Sequence, residues 1–285
     1  MIISIEDLNF SYQQSKSLFD GLNWSVPQGS VVGLLGKNGS GKTTLLHLLT
    51  GLLFPKSGSI QVDSWIPKDR EPTFLEDVFL LTDDMAYSGS MQIATYAKVM
   101  GAFYPKFDSL RFDQILNDFG LEKKTKLNNL SLGERKKVFL SFGLSTNCRL
   151  LFFDEPTNGL DIPSKSAFRK IVAGNLHEEQ TMIISTHLVA DVEKLIDRVA
   201  ILHHGKILLD VDLLDLSDRL QFSSATNAPE DALYVEKSGT GYQFIRSRMD
   251  NEAQTSIHLE LLFNAAINKG LDDNLIFQHQ KSEML

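Results

Sequence analysis

Cysteine is almost missing from this chain of 285 residues. Cys148 stands alone, so no disulfide can form within the chain, a usage that suits a reducing compartment. Long apolar runs are missing too, and no stretch approaches the roughly 20 residues needed to cross a bilayer. The opening Met1-Ile2-Ile3-Ser4-Ile5-Glu6-Asp7 has neither the basic start nor the long apolar core of a secretory signal. These absences lead to the expectation of a cytosolic chain whose membrane role, if it has one, comes through another polypeptide. Basic excess is also lacking. The net charge is −8, without a long basic run, which argues against nucleic acid as a partner because such partners leave a basic footprint. No internal repeat or low-complexity tract is evident. The remainder is ordinary for a folded protein, 42% hydrophobic and 22% charged, with length for one large domain or two small ones.

Against that plain background one stretch stands out. Gly36-Lys37-Asn38-Gly39-Ser40-Gly41-Lys42-Thr43-Thr44 fits the phosphate-binding pattern G-x-x-x-x-G-K-[ST] on Gly36, Gly41, Lys42 and Thr43. Its flanks fit as well. Val31, Val32, Leu34 and Leu35 make a short buried strand, and Leu45, Leu46, Leu48 and Leu49 follow with helix-compatible spacing. The glycines let successive backbone N–H groups face one point, and the helix start adds to the anion site. Lys42 reaches the terminal phosphates, while the Thr43 hydroxyl is suited to hold Mg²⁺. A glycine-rich turn that binds nothing is the competing reading, and both flanks weigh against it.

A pass along the chain places the rest. Strands are expected at Ile2 to Tyr12, around Trp24 and Val26, and at Ser59 to Val62, Val78 to Leu81, Leu150 to Phe153, Met182 to Ser185, Val199 to His203 and Lys206 to Leu209. Helices are expected at Met91 to Tyr104, Leu110 to Phe119, Ser131 to Ser145, Ser164 to Leu176 and Val189 to Ile196. Strands on both sides of a helix-only middle predict a mostly parallel α/β core with a helical insert at about residues 84–147. Residues 1–215 form the expected main domain, and residues 216–285 a small α+β appendage. Within it Ser223 to Pro229 reads as a linker, Leu233 to Glu236 and Tyr242 to Ile245 as a hairpin, and Leu259, Leu262, Phe263 and Ala266 as one helix face.

A nucleotide site also needs a metal held and a water activated. Leu150-Leu151-Phe152-Phe153-Asp154-Glu155 presents two carboxylates at the end of a buried strand. Asp154 is the expected Mg²⁺ ligand and Glu155 the general base. By itself an Asp-Glu pair would be a solvated strand end; the apolar run and the phosphate loop upstream favour function.

Leu130-Ser131-Leu132-Gly133-Glu134-Arg135 precedes that strand and opens a helix. Here the chain resembles the ATP-binding subunits of ATP-binding cassette (ABC) transporters, whose signature reads Leu-Ser-Gly-Gly-Gln. Leu130, Ser131 and Gly133 are kept, while Leu132 replaces a Gly and Glu134 the Gln. Ser131, the Gly133 backbone and the helix start make a second anion site; a simple capping box from Ser131 and Glu134 reads equally well and is compatible with it. Gly159-Leu160-Asp161 resembles the family's D-loop, Ser185-Thr186-His187 its switch motif with His187 facing the γ-phosphate, and Tyr12 the aromatic that stacks on adenine. The resemblance covers roughly residues 2–209 in the right order. One departure concerns the Gln that the family places between the first subdomain and the insert. Leu80-Leu81-Thr82-Asp83-Asp84 stands there, so Asp83 is the expected metal-linked replacement, with Thr82 as alternative and a merely solvated turn as the bland reading.

The resemblance implies a P-loop NTPase core of the ABC type with an antiparallel β subdomain, binding ATP and Mg²⁺ and hydrolysing ATP. It implies a second ATPase subunit, a copy of this chain or a related one, closing head to tail on two ATP. It also implies a transmembrane permease partner that holds the chain at the cytoplasmic face of the membrane. The short appendage is similar to those of exporter-type subunits. Phe103 or Tyr104 is expected to anchor the permease, with Tyr96 in the insert's own core. The rival readings are a soluble ABC ATPase without a membrane partner and a protein that binds ATP without hydrolysing it, which Glu155 argues against.

Overall fold

In the computed structural model all residues are described except 13–15, 83, 84, 86, 88, 240, 250, 251, 270 and 272–285. The chain opens with strands β1 (Ile3–Phe10), β2 (Phe19–Val26) and β3 (Val31–Leu35), helix α1 (Lys42–Leu49) and strand β4 (Ser57–Val62). A one-turn helix α2 (Pro72–Leu75) leads into β5 (Val78–Leu81), and α3 (Ile93–Gly101), α4 (Ser109–Asp118) and α5 (Leu132–Ser145) form the insert. Then come β6 (Leu150–Asp154), α6 (Ile162–Asn175), β7 (Thr181–Thr186), β8 (Arg198–His203) and β9 (Lys206–Asp212), followed by α7 (Leu213–Arg219), β10 (Leu220–Ala225), β11 (Tyr234–Ser238), β12 (Gly241–Ser247) and α8 (Leu259–Lys269).

The central sheet has six strands in the order β5-β6-β7-β3-β8-β9, parallel except for β9. Strands covered on both faces read as unbroken apolar runs, as β3 and β6 do. Their side chains nevertheless alternate between two cores. Val32, Leu34, Leu150, Phe152, Ile183, Ala200 and Leu202 pack with α1 and the antiparallel sheet β2-β1-β4. Val31, Leu35, Leu151, Phe153, Met182, Ile184, Val199 and Ile201 face the insert and the C-terminal elements.

The register decides where function gathers. Leu35 lies opposite Thr186, Asp154 opposite Ser185, and Leu81 opposite Phe153. Four parallel strands therefore end along one edge, where open α/β sheets bind their ligands.

The insert is built around Phe142 on α5, whose ring meets those of Phe79, Tyr96, Tyr104, Phe107 and Phe112. Tyr96 is buried, as expected. Three local expectations differ from the structure. The segment from Val189 to Ile196 tightens into a 3₁₀ turn at Val189–Asp191 instead of a helix. There Asp191 is held by Thr157 and Lys165 while Val192 is drawn into the core, so tertiary partners set the backbone. Leu213 to Arg219, to which no element was assigned, forms α7, capped by the Asp212 carboxylate. The expected linker at Ser223 contributes to β10, which pairs with β12 from Tyr242 to Ser247.

Of the expected face of helix α8, Leu259, Leu262 and Ala266 are buried and Phe263 is half-buried, and Leu261 and Ala265 are buried as well. It needs two apolar faces because it lies between the sheet β10-β12-β11 and the central β8 and β9. Leu262→Ala should therefore destabilise the main body as well as the appendage. The expected cost is about 2–5 kcal/mol, read as a shift of the denaturation midpoint reported by Trp24 fluorescence in a Trp65→Phe background, since the chain has two tryptophans. A Trp24 transition unmoved by the substitution would mean that α8 folds apart from the central sheet.

Candidate active site

The phosphate loop joins β3 to α1. Gly41 caps the helix at φ 107°, a conformation that L side chains rarely adopt, and a Cβ there would lie 2.9 Å from the Phe19 ring. Lys37, Asn38 and Gly39 form the exposed tip, Ser40 and Gly41 are half-buried, and Gly36, Lys42 and Thr44 are buried. The Lys42 ammonium donates to the Gly36 carbonyl at 2.9 Å and stands 3.6 Å from Glu155 Oε1.

Around that loop the aligned strand ends contribute in turn. Thr43 Oγ1 donates to Asp154 Oδ2 at 2.6 Å, and the Ser185 hydroxyl donates to the other oxygen of Asp154. Glu155 follows β6 at φ 47° in the left-handed region, a strain of about 1–3 kcal/mol for a residue with a side chain. Its carboxylate is held at both oxygens, Oε2 by the Thr186 hydroxyl at 3.1 Å and Oε1 by His187 Nδ1 at 2.8 Å. Each carboxylate oxygen still has a second lone-pair direction for a water. Tyr12, half exposed, packs edge-on against Phe10 and meets Thr44 Oγ1 through its hydroxyl at 2.9 Å.

Lys42, Thr43, Asp154, Glu155 and His187 are thus brought to one edge of the sheet, with Tyr12 joined through Thr44. Ser131, Gly133 and Asp161 are elsewhere, around a separate hollow of about 510 Å³. Among the described residues no hydrogen bond or ion pair links them to the phosphate loop. Ser131 caps α5, and Glu134 returns its carboxylate to the Ser131 N–H and hydroxyl, both at 2.8 Å. Those bonds, the backbone one first, hold the Glu134 carboxyl below the usual carboxylate range. Asp161 caps α6 by accepting from the Ser164 N–H at 3.0 Å. A Cβ on Gly133 would lie 3.0 Å from the Gly159 carbonyl, so the first turn of α5 approaches that loop closely where Gly133 has no side chain.

Asp83 lies outside the described residues. Thr82, its alternative, follows β5 and is half-buried beside Tyr87, Leu132, Arg135 and Lys136. On the other side Thr82 borders a groove of about 710 Å³ lined by Leu52, Leu75, Leu80, Met85, Met100 and Phe103, with Arg70 and Glu76 at its margin. Phe103 is 65% exposed there, whereas Tyr104 packs on Phe79 and Phe142. Both aromatics expected at a docking surface line the groove, Phe103 exposed and Tyr104 half-buried.

Some supporting residues escape a reading by motif. Ser185 and Thr186, which precede His187 in the expected switch motif, hold Asp154 and Glu155. Lys136, which no motif marks, is buried and donates to the carbonyls of Glu155 at 2.9 Å and Asn158 at 3.0 Å. Its signal in the sequence was only its place five residues after the Ser131 cap.

Comparison with known proteins agrees with this geometry. The family model described as ABC transporter matches residues 19–158. The bacitracin transport ATP-binding protein BcrA of Bacillus licheniformis is 31% identical over 227 residues, which cover 76% of this chain and 72% of that protein. The lantibiotic transport ATP-binding protein SrtF of Streptococcus pyogenes is 30% identical over 227 residues, 77% of this chain and 94% of that one. A solved ATP-binding subunit of an ABC transporter superposes with a TM-score of 0.68 at 22% identity, covering 76% of this chain and 92% of its own. A dimeric ATP-binding cassette in a post-hydrolysis state, bound to ADP and Pi, superposes with a TM-score of 0.66 at 20% identity, covering 74% and 98%. At those identities the solved structures show the fold.

Proposed function

The chain belongs to the ATP-binding subunits of ABC transporters and is an ATPase, and we propose that it powers an exporter whose membrane-spanning part is a separate polypeptide. The observation that carries the catalytic assignment is the convergence of Lys42, Thr43, Asp154, Glu155 and His187 on one sheet edge. The N–H groups of Gly36 to Thr44 and the Lys42 ammonium bind the β- and γ-phosphates, and Tyr12 receives the adenine face. Glu155 polarises the attacking water as general base. His187 and Thr186 aim its carboxylate, and His187 also faces the γ-phosphate.

The donor set fits Mg²⁺. The Thr43 hydroxyl and Asp154 carboxylate are hard oxygen ligands that already meet at 2.6 Å, in a site whose anionic groups call for a cation. When bound, the ion would neutralise phosphate charge. Asp83 replaces the family's glutamine as a metal-linked contact, with Thr82 as alternative.

Ser131, Gly133 and Asp161 act on the nucleotide of a second subunit, a copy of this chain or a related one. Their place around a hollow that no phosphate-loop residue lines supports a head-to-tail pair. The groove beside α3 supports a membrane partner over a soluble ATPase, because Phe103 is exposed in a mainly apolar hollow that also carries Arg70 and Glu76. The chain then sits at the cytoplasmic face of the membrane, held there by the permease. Export is favoured by relatives named for bacitracin and lantibiotic transport, which makes such peptides the first cargoes to assay.

Glu155→Gln should leave ATP binding intact and slow hydrolysis by about 10²–10⁴-fold, with closed dimer accumulating in ATP on gel filtration. Lys42→Ala should instead weaken nucleotide binding by roughly 1.5–3 kcal/mol, seen by titration with a fluorescent ATP analogue. Near-normal turnover of Glu155→Gln would remove the base assignment.

Loss of a metal-linked contact should raise the Mg²⁺ concentration for half-maximal turnover. Titrations of Asp83→Ala and Thr82→Ala against wild type decide between the two residues, and unchanged curves for both would leave the metal to Thr43 and Asp154.

Phe103→Ser should keep ATP affinity and reduce co-purification of a multi-span protein from detergent-solubilised membranes. Unchanged recovery of that protein would place the docking surface elsewhere.

A further inference from the structure

We infer that Lys136 is a positioning residue for hydrolysis, tying the start of α5 to the backbone of Glu155; this rests on the reading of Glu155 as base. Lys136 is 4% exposed, so its ammonium has been taken almost wholly out of water. Burial of a charge is unfavourable unless strong hydrogen bonds compensate it. Here the ammonium donates to the Glu155 carbonyl at 2.9 Å and to the Asn158 carbonyl at 3.0 Å. Bonds from an ionised donor are about twice as strong as neutral ones.

The place of those carbonyls is the point. Glu155 and Asn158 are the ends of a single turn, closed by the Asn158 N–H donating to the Glu155 carbonyl at 3.2 Å. Lys136 bridges both ends of that turn. Glu155 is also a non-glycine residue with a left-handed backbone, at φ 47°. Its N–H is tied to the Ser185 carbonyl at 3.0 Å. With the N–H fixed to β7 and the carbonyl fixed to α5, the direction in which the Glu155 side chain leaves the backbone is set from both sides.

The same turn runs into Gly159, whose carbonyl lies against Gly133. Helix α5 therefore touches the segment 155–159 twice, once at Gly133 through backbone contact and once at Lys136 through the ammonium. Lys136 lies about 7.5 Å along the axis from Ser131, five residues at 1.5 Å each. A helix is stiff over that length, so a displacement of the Ser131–Gly133 end by a nucleotide on a second subunit moves Lys136 with it. The carbonyl of Glu155 then follows. Lys136 thus makes the aim of the base in one site depend on whether the start of α5 is engaged by the nucleotide of the other.

Two variants separate this role from packing. Lys136→Met keeps an unbranched stem of similar length and removes the donor; Lys136→Gln restores N–H donors without the charge. For Lys136→Met the expectation is an ATP-analogue affinity within about twofold of wild type and turnover reduced by about 10²-fold, the scale of a misplaced catalytic group. Backbone amides of residues 155–160, followed by hydrogen exchange without nucleotide, should exchange about tenfold faster. Lys136→Gln should recover most of the turnover and the slow exchange. Wild-type turnover and exchange in Lys136→Met would overturn the proposal. So would a loss shared equally by the Met and Gln variants together with lowered ATP affinity, since that is the mark of a damaged core. The exchange measurement needs no hydrolysis, so it decides the Lys136 contact even if Glu155→Gln shows that Glu155 is not the base.

Discussion

The structure depends most on the carboxylate of Asp154. It is a buried charge at the end of β6, and a buried charge must be given strong partners or it unfolds its surroundings. Its partners come from two other elements, the Thr43 hydroxyl at the start of α1 and the Ser185 hydroxyl on β7. Satisfying one carboxylate therefore fixes the phosphate loop, the metal-ligand position and the adjacent strand end relative to one another. The ladder that sets Asp154 opposite Ser185 is the backbone expression of the same constraint. Alternation of apolar side chains on β3, β6, β7 and β8 leaves the strands no freedom to slip by one residue, because that would exchange their two cores.

Beyond Asp154 the chain makes a strained turn, and the strain is organised. Glu155 is left-handed, its N–H bound to β7, its carbonyl to α5 and its carboxylate to Thr186 and His187. Glu155 is thus restrained at its backbone and at both carboxylate oxygens. Such restraint suits a group that must point at one water. It also means that elements far from the phosphates have a mechanical hold on the base. The segment just after it is tethered again, Thr157 to Asp191 and Asp191 to Lys165.

The insert shows a different economy. Its aromatic residues converge on Phe142 and fill one continuous core with β5 and β6. Phe103 is left outside because it lies just past the end of α3, facing away from that core. Cys148 is buried at the junction, where burial pushes its thiol up to about 12 and leaves it an inert packing group. The appendage shares the main core through α8, so the C-terminal sheet is not joined to the rest by a linker alone.

Much of the site was legible because it is local. Gly36 to Thr44 is a turn whose geometry is set by its own glycines. Leu150 to Glu155 is a buried strand with two carboxylates attached, and Ser131 with Glu134 is a capping box spanning four residues. In such stretches covalent spacing and backbone chemistry already specify the structure. Tertiary contacts decided the rest. The residues from Val189 to Ile196 carry a helical pattern but tighten around Asp191 and its distant partners. Ser223 to Ala225 has the composition of a linker, yet it completes a strand because β12 offers a free edge. Tyr104 and Phe103 are neighbours in sequence with equal claims to the surface, and only the packing around Phe142 separates them. Lys136 among Arg135 and Lys137 reads as solvated charge. Its burial against the Glu155 carbonyl follows from how α5 lies across the end of β6, and a long-range packing relation of that kind leaves no mark in local sequence.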